Sequence, residues 1–158
     1  MKWAHVLGMI SVRWIVQPEK YVLYYDRMPP DSPQWRCARV LATEIHQRRP
    51  VTSAPGSGRR IRMAHWPEMM RYDVLLEHGG IFLDHDAYAL RPLDKLRSCC
   101  APPTTPVHAQ AAGGCDLPAA VVSGIELLGT RPSDRRLNPG ALLAERGAMF
   151  LQAWRASW

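Results

Sequence analysis

Apolar residues recur at helical spacing just before the middle of the chain, then give way to an alternating run. Trp66 precedes Pro67, which suits a first helical turn, and Glu68 follows where the helix dipole favours an acid. Met69, Met70, Val74 and Leu75 supply one apolar face. Gly79-Gly80 then stops the helix, because glycine reaches left-handed backbone angles without steric cost. Ile81-Phe82-Leu83 reads as a buried strand running into Asp84-His85-Asp86. A strand period of two places Phe82, Asp84 and Asp86 on one side, with Ile81, Leu83 and His85 on the other.

The same patterning gives the other elements. Residues 3–16 read as a strand leading into a short helix, and Tyr21–Tyr25 as a strand rich in β-formers. Ser32-Pro33 matches an N-cap and first helical residue, opening a helix through Trp35, Ala38 and Leu41 towards Ile45. Residues 50–60 and the Pro-, Ala-, Gly- and Cys-rich residues 98–118 read as loops, while Arg91-Pro92-Leu93-Asp94 turns the chain away. Short strands are expected at Ala120–Val122 and Ala141–Ala144, with polar turns between them around Pro132 and at Asn138-Pro139-Gly140. A last helix, Ala148 to Ser157, presents Phe150, Leu151 and Trp154 on one face. Strands alternating with helices indicate an α/β fold, and 158 residues are about one domain, so residues 1–158 are read as a single unit.

Composition narrows the class. With 47% hydrophobic and 22% charged residues the chain is globular rather than disordered. A net charge of +6 favours anionic partners, although arginine in loops, as at Arg48-Arg49 and Arg135-Arg136, is first of all a solvated basic surface. The four cysteines, Cys37, Cys99, Cys100 and Cys115, are too few and too irregular for a disulfide framework. Adjacent Cys99-Cys100 also lacks the spacer of a tetrahedral zinc loop. His5 and Arg13 interrupt the apolar N-terminal run, no small-residue cleavage site follows it, and no stretch of about 18 apolar residues is present to span a membrane.

The candidate chemistry is the acid pair. An isolated Asp-x-Asp is most simply two solvated acids in a loop. Here Asp84 and Asp86 follow an apolar strand, a Gly-Gly stop and a helix with Glu68 and Arg71 at i, i+3. The C-terminal end of a strand is where α/β folds place ligands. Two carboxylates side by side repel unless a cation or proton lies between them. Carboxylate oxygens suit hard Mg²⁺ or Mn²⁺, which share their shell with phosphate oxygens. A metal-bridged diphosphate is the ligand this pattern implies.

Taken together, Ala64-His65-x-x-Glu68-x-x-Arg71, Leu75 through Asp86 and Leu90-Arg91-Pro92-Leu93 resemble the DXD-containing sugar-transferase family of the glycosyltransferase 32 type. That family is similar in its core to glucosylating clostridial toxins and to α1,4-galactosyl- and N-acetylglucosaminyltransferases. Pro18 to Asp26 resembles its second strand, and Leu137 to Trp154 its later Asn-x-Gly strand and following helix. The resemblance implies a GT-A-like, Rossmann-like nucleotide-sugar-binding sheet, incomplete at its C-terminus, and a hexosyltransferase. Such an enzyme moves a sugar from a UDP- or GDP-sugar donor to a glycan, lipid or protein acceptor, with retention and with Mn²⁺ (or Mg²⁺). By position it assigns the metal to Asp86, and the donor ribose and the metal's water shell to Asp84. It assigns the sugar hydroxyls to Arg71 and Glu68, the nucleoside to Phe82, and the reaction centre to Asn138. It implies no nucleic-acid partner, membrane association only through segments outside this chain, and, from eukaryotic members, residence in the Golgi or another secretory-pathway lumen.

The chain departs from the pattern in places. Glu68 stands where the family usually has Asp, Pro67 replaces a small residue, and the chain stops at Trp158 where members usually continue. These departures leave a truncated or inactive member, binding nucleotide sugar weakly, as the alternative. A haloacid-dehalogenase-like phosphatase also carries Asp-x-Asp after an apolar strand. It would need Thr or Val soon after the second Asp and a motif near the domain start, whereas Ala87-Tyr88 follow here and Asp84 lies past mid-chain. A basic nucleic-acid-binding module is the other rival, and no recognised motif supports it.

Overall fold

The computed structural model describes residues 1–49, 51–53, 58, 60–97, 121–127 and 135–157. They divide into two units: Met1–Pro50 with Asp84–Leu93, and Val51–Leu83 with Asp94–Trp158.

In the first unit, helix α1 (Trp3–Ser11) runs on into a π-helical turn, Val12–Val16, closed by Gln17 at φ 50°. The expected opening strand is absent. Val6, Met9, Val12 and Val16 are buried while Trp3, Leu7 and Trp14 are exposed, so the run is a one-sided helix. A short apolar run of this kind has no period that separates strand from helix. Strand β1 (Val22–Tyr25) and helix α2 (Pro33–Leu41) form as expected, with Ser32 Oγ accepting from Trp35 N–H at 3.2 Å. Helix α2 stops at Leu41 instead of continuing to Ile45. Glu44–Gln47 form strand β2, parallel to β1, with Leu23 opposite Ile45. Parallel strands need a crossover, which α2 supplies. Thr43 fixes the start of the pair, its N–H reaching Tyr21 O at 2.8 Å while its Oγ1 accepts from Tyr21 N–H at 2.8 Å. Met9, Trp35 and Ala38 form the core, with Tyr21, Leu23, Leu41 and Ile45 packed against it.

The second unit is built on helix α3 (Trp66–His78), entered through a 3-10 turn, Met63–His65. Met69, Tyr72 and Leu75 are almost fully buried. Gly79 sits at φ 69° and its N–H closes the helix on Leu75 O at 2.8 Å. A Cβ there would lie 2.8 Å from Arg146 N, so the position needs glycine for its backbone angle and for the close approach. Strand β3 (Gly80–Leu83) follows at once. A short helix, α4 (Asp94–Arg97), precedes the 98–118 segment, which lies with Cys99, Cys100 and Cys115 outside the described residues.

Strands β4 (Val121–Leu127) and β5 (Arg135–Ala144) complete an antiparallel sheet of order β3-β5-β4. Asn138-Pro139-Gly140 lies inside β5 rather than in a turn. Ser123 pairs with Leu142 and the next residue, Gly124, with Asn138, so the intervening residues of β5 bulge out of the ladder. Proline has no N–H to give to a ladder, and a bulge is where a strand tolerates it. Helix α5 (Met149–Ala156) buries Leu151 and sets Trp154 against Tyr72, ring centroids 5.2 Å apart, while Phe150 stays exposed. Arg155 on α5 forms an ion pair with Asp73 on α3. Met69, Tyr72, Leu75, Leu142 and Leu151 belong to the resulting core.

Two outcomes follow from this packing. Leu142→Ala removes a fully buried side chain from the central strand and is expected to cost about 2–5 kcal/mol, read as a lower urea midpoint. Burial raises the Tyr21 phenol from 10.0 to about 12. The fold therefore favours the protonated phenol, and its stabilising contribution is complete below pH 10 and lost as pH rises towards 12. An alkaline titration of tyrosinate absorbance, wild type minus Tyr21→Phe, should show one phenol ionising late.

Candidate functional site

The acid pair sits at the exit of β3, but not as two neighbours on one strand face. Strand pairing ends where Leu83 meets Ala141. The chain then turns, with Ala87 N–H bonded to Asp84 O at 2.9 Å. The period-two placement of Phe82, Asp84 and Asp86 on one side therefore fails at the last of them. The bond closes the backbone into a turn over Asp84–Ala87. Asp84 is half-buried and Asp86 exposed. Among the described residues Asp86 makes no hydrogen bond or ion pair, so its carboxylate remains open to a ligand.

The turn and the residues after it belong to the first unit, where they lie along α1. Tyr88 Oη donates to Ala4 O at 2.8 Å, and Ala89 N–H donates to Ser11 Oγ at 2.9 Å. The His5 and His85 rings meet edge to face, centroids 4.1 Å apart. Partial burial, and next the His85 imidazole, hold His5 below its ordinary pKa, while Asp86 pulls the other way. The sequence reading did not include α1 among the site elements. The available signal was two small residues, Gly8 and Ser11, at i, i+3 in a run of bulky apolar residues.

The remaining predicted residues lie in the second unit. Arg71 is only 3% exposed, and its guanidinium carbon sits 4.6 Å from the centroid of the Phe82 ring. Helix α3 and strand β3 bring these two together because the Gly79-Gly80 turn folds the strand back beside the helix. Glu68, partly exposed, pairs with His65 Nδ1 at 3.1 Å. Histidine 65 thus acts as a partner to an acid at the helix start, and His78 pairs with Glu77 on the exposed end of the same helix. Asn138 is placed by register alone, opposite Gly124.

The donor chemistry fits a hard divalent cation. Among the described residues no group of three or more His, Cys, Asp or Glu is gathered for a metal. Mg²⁺ and Mn²⁺ do not require one, since they commonly take one or two carboxylates and fill the shell with water and phosphate oxygens. Two carboxylates on a turn, one of them exposed, are such a set.

The family model described as the glycosyltransferase sugar-binding region containing DXD motif matches residues 19–100, just over half of the chain and including Asp84-His85-Asp86. The chain belongs to this family, and its function is related to glycosyl transfer. No curated protein and no solved structure matches it. Among the described residues, no helix is long and apolar enough to cross a membrane.

The stacked Arg71–Phe82 pair is open to a double-mutant cycle. Joining Arg71→Met to Phe82→Leu should return a coupling of about 0.5–2 kcal/mol in unfolding free energy, the range of a desolvated cation–π contact. Simple additivity of the two changes would show the stacking to be energetically idle.

Proposed function

We propose that this protein is a Mn²⁺- or Mg²⁺-dependent, retaining glycosyltransferase of the glycosyltransferase 32 type, with a GT-A-like sheet. It takes a sugar from a UDP- or GDP-sugar and passes it to a glycan, lipid or protein acceptor, in a secretory-pathway lumen such as the Golgi. The observation that carries the reading is the Asp84–Ala87 turn at the end of β3, with Asp86 exposed, inside the family match.

In this reading Asp86 binds the cation, and Asp84 contacts the donor ribose and the cation's water shell. Arg71 and Glu68 hold the donor sugar hydroxyls, Phe82 lies at the nucleoside, and Asn138 faces the reaction centre. Bound there, the divalent ion would neutralise the departing diphosphate. The residues do the rest by fixing the donor's orientation, which converts binding energy into a lower barrier. Arg71 suits that task because its guanidinium is held rigidly over Phe82, so little freedom is lost when a hydroxyl arrives.

Calorimetry with UDP-glucose, UDP-galactose, UDP-N-acetylglucosamine and GDP-mannose, with and without Mn²⁺, tests the reading and identifies the donor. Binding that needs Mn²⁺ and disappears in Asp86→Ala is the expected result. A folded wild type that binds none of the four would remove the active-enzyme reading while leaving the family membership intact.

A further inference from the structure

We infer that helix α1 sets the position of the Asp84–Asp86 turn, and that Gly8 and Ser11 are the positioning residues. The inference rests on the proposed role of Asp84 and Asp86 in binding cation and donor. Everything it uses lies within the first unit.

Gly8 is buried at the point where the turn crosses the helix. A Cβ there would stand 2.7 Å from Ala87 O and 3.2 Å from His85 O. Both obstacles are backbone carbonyls, which cannot swing aside as a side chain would. His85 is the central residue of the acid pair and Ala87 the one that follows it, so any residue but glycine must push the turn off the helix. The constraint is steric contact alone, since Gly8 has an ordinary helical setting within α1.

Ser11, one turn further on, fixes the other end. Its hydroxyl donates to Gly8 O at 2.7 Å and accepts from Ala89 N–H at 2.9 Å. A single oxygen thus ties the helix backbone to the strand of chain leaving the turn, and Ala89 itself is buried. An amide buried there without an acceptor would be costly, so the hydroxyl specifies a register as well as a contact. The Tyr88 bond to Ala4 O and the His5–His85 ring contact add two more ties along the same helix. Residues that hold metal ligands in place without touching the metal commonly change affinity by about 10–100-fold when altered.

The test uses Mn²⁺ with UDP as probe, titrated into wild type, Gly8→Ala, Ser11→Ala, Ser11→Thr and the exposed same-helix control Leu7→Ala, with circular dichroism and thermal unfolding to confirm folding. Amide exchange at Ala87 and Ala89 is read in parallel. Faster exchange at both amides in Gly8→Ala and Ser11→Ala, at least about tenfold weaker Mn²⁺–UDP binding, recovery in Ser11→Thr, and no change in Leu7→Ala are the expected results. Should Gly8→Ala not fold, the contrast between Ser11→Ala and Ser11→Thr decides alone. Wild-type affinity in a folded Ser11→Ala and Gly8→Ala would overturn the positioning role while the donor site stood. A wild type that bound no Mn²⁺–UDP would overturn the donor reading, and the inference with it.

Discussion

The Gly79-Gly80 turn is the constraint on which the second unit depends. Helix α3 has to end abruptly, and the chain has to leave in extended form within one residue. Gly79 and Gly80 do this at φ 69° and 103°, angles that side-chain-bearing residues rarely adopt. Because the reversal is so tight, β3 returns beside the helix that precedes it, and Phe82 comes under Arg71. The same compactness brings Arg146 N against Gly79, so the connection from β5 to α5 is seated on the turn. From there α5 reaches α3 through Tyr72–Trp154 and Asp73–Arg155, closing the apolar core.

Burial of Arg71 shows how such a frame handles a charge. A guanidinium taken out of water is costly unless its environment compensates. An aromatic face offers part of that compensation, and it also limits the side chain to few orientations. Rigidity of this kind is useful to a ligand-binding residue, because the ordering cost is met by folding rather than at binding. Glu68, three residues earlier, is tied to His65 and is partly open to solvent. Two residues on one helix face therefore have different freedom.

The family match covers the acid turn. The matched region runs through β1, α2, β2, α3 and β3 to the acid turn and beyond it. Within the first unit that turn lies against two small residues of α1, Gly8 and Ser11. An acid pair on a turn needs such support, since a turn by itself does not hold two carboxylates in one geometry.

Local chemistry was legible in the residues themselves. Ser32-Pro33 announced a helix start, Trp66-Pro67-Glu68 another, and Gly79-Gly80 a stop, because caps, proline and glycine act through their own backbone and the nearest few residues. The Asp-x-Asp pattern, with its surroundings, led to the expectation of a metal-bridged diphosphate, and the wider set of motifs to the family that the match shows. Other features were settled only by contacts between distant parts of the chain. Ile45 left the helix pattern for a strand because Leu23 offered it a partner, and the first residues became a helix because one side could be buried. Asn138-Pro139-Gly140, a turn by composition, lies inside β5, at the register shift where pairing passes from Ser123–Leu142 to Gly124–Asn138. Asp86 left the strand face because the chain closes a turn there, Ala87 N–H bonding back to Asp84 O. The fit of Gly8 against the His85 and Ala87 carbonyls belongs to the same class: it joins segments almost eighty positions apart, and no local pattern encodes such a contact. Short-range preferences are written in each residue, whereas pairing and close approach exist only once the chain has brought its partners together.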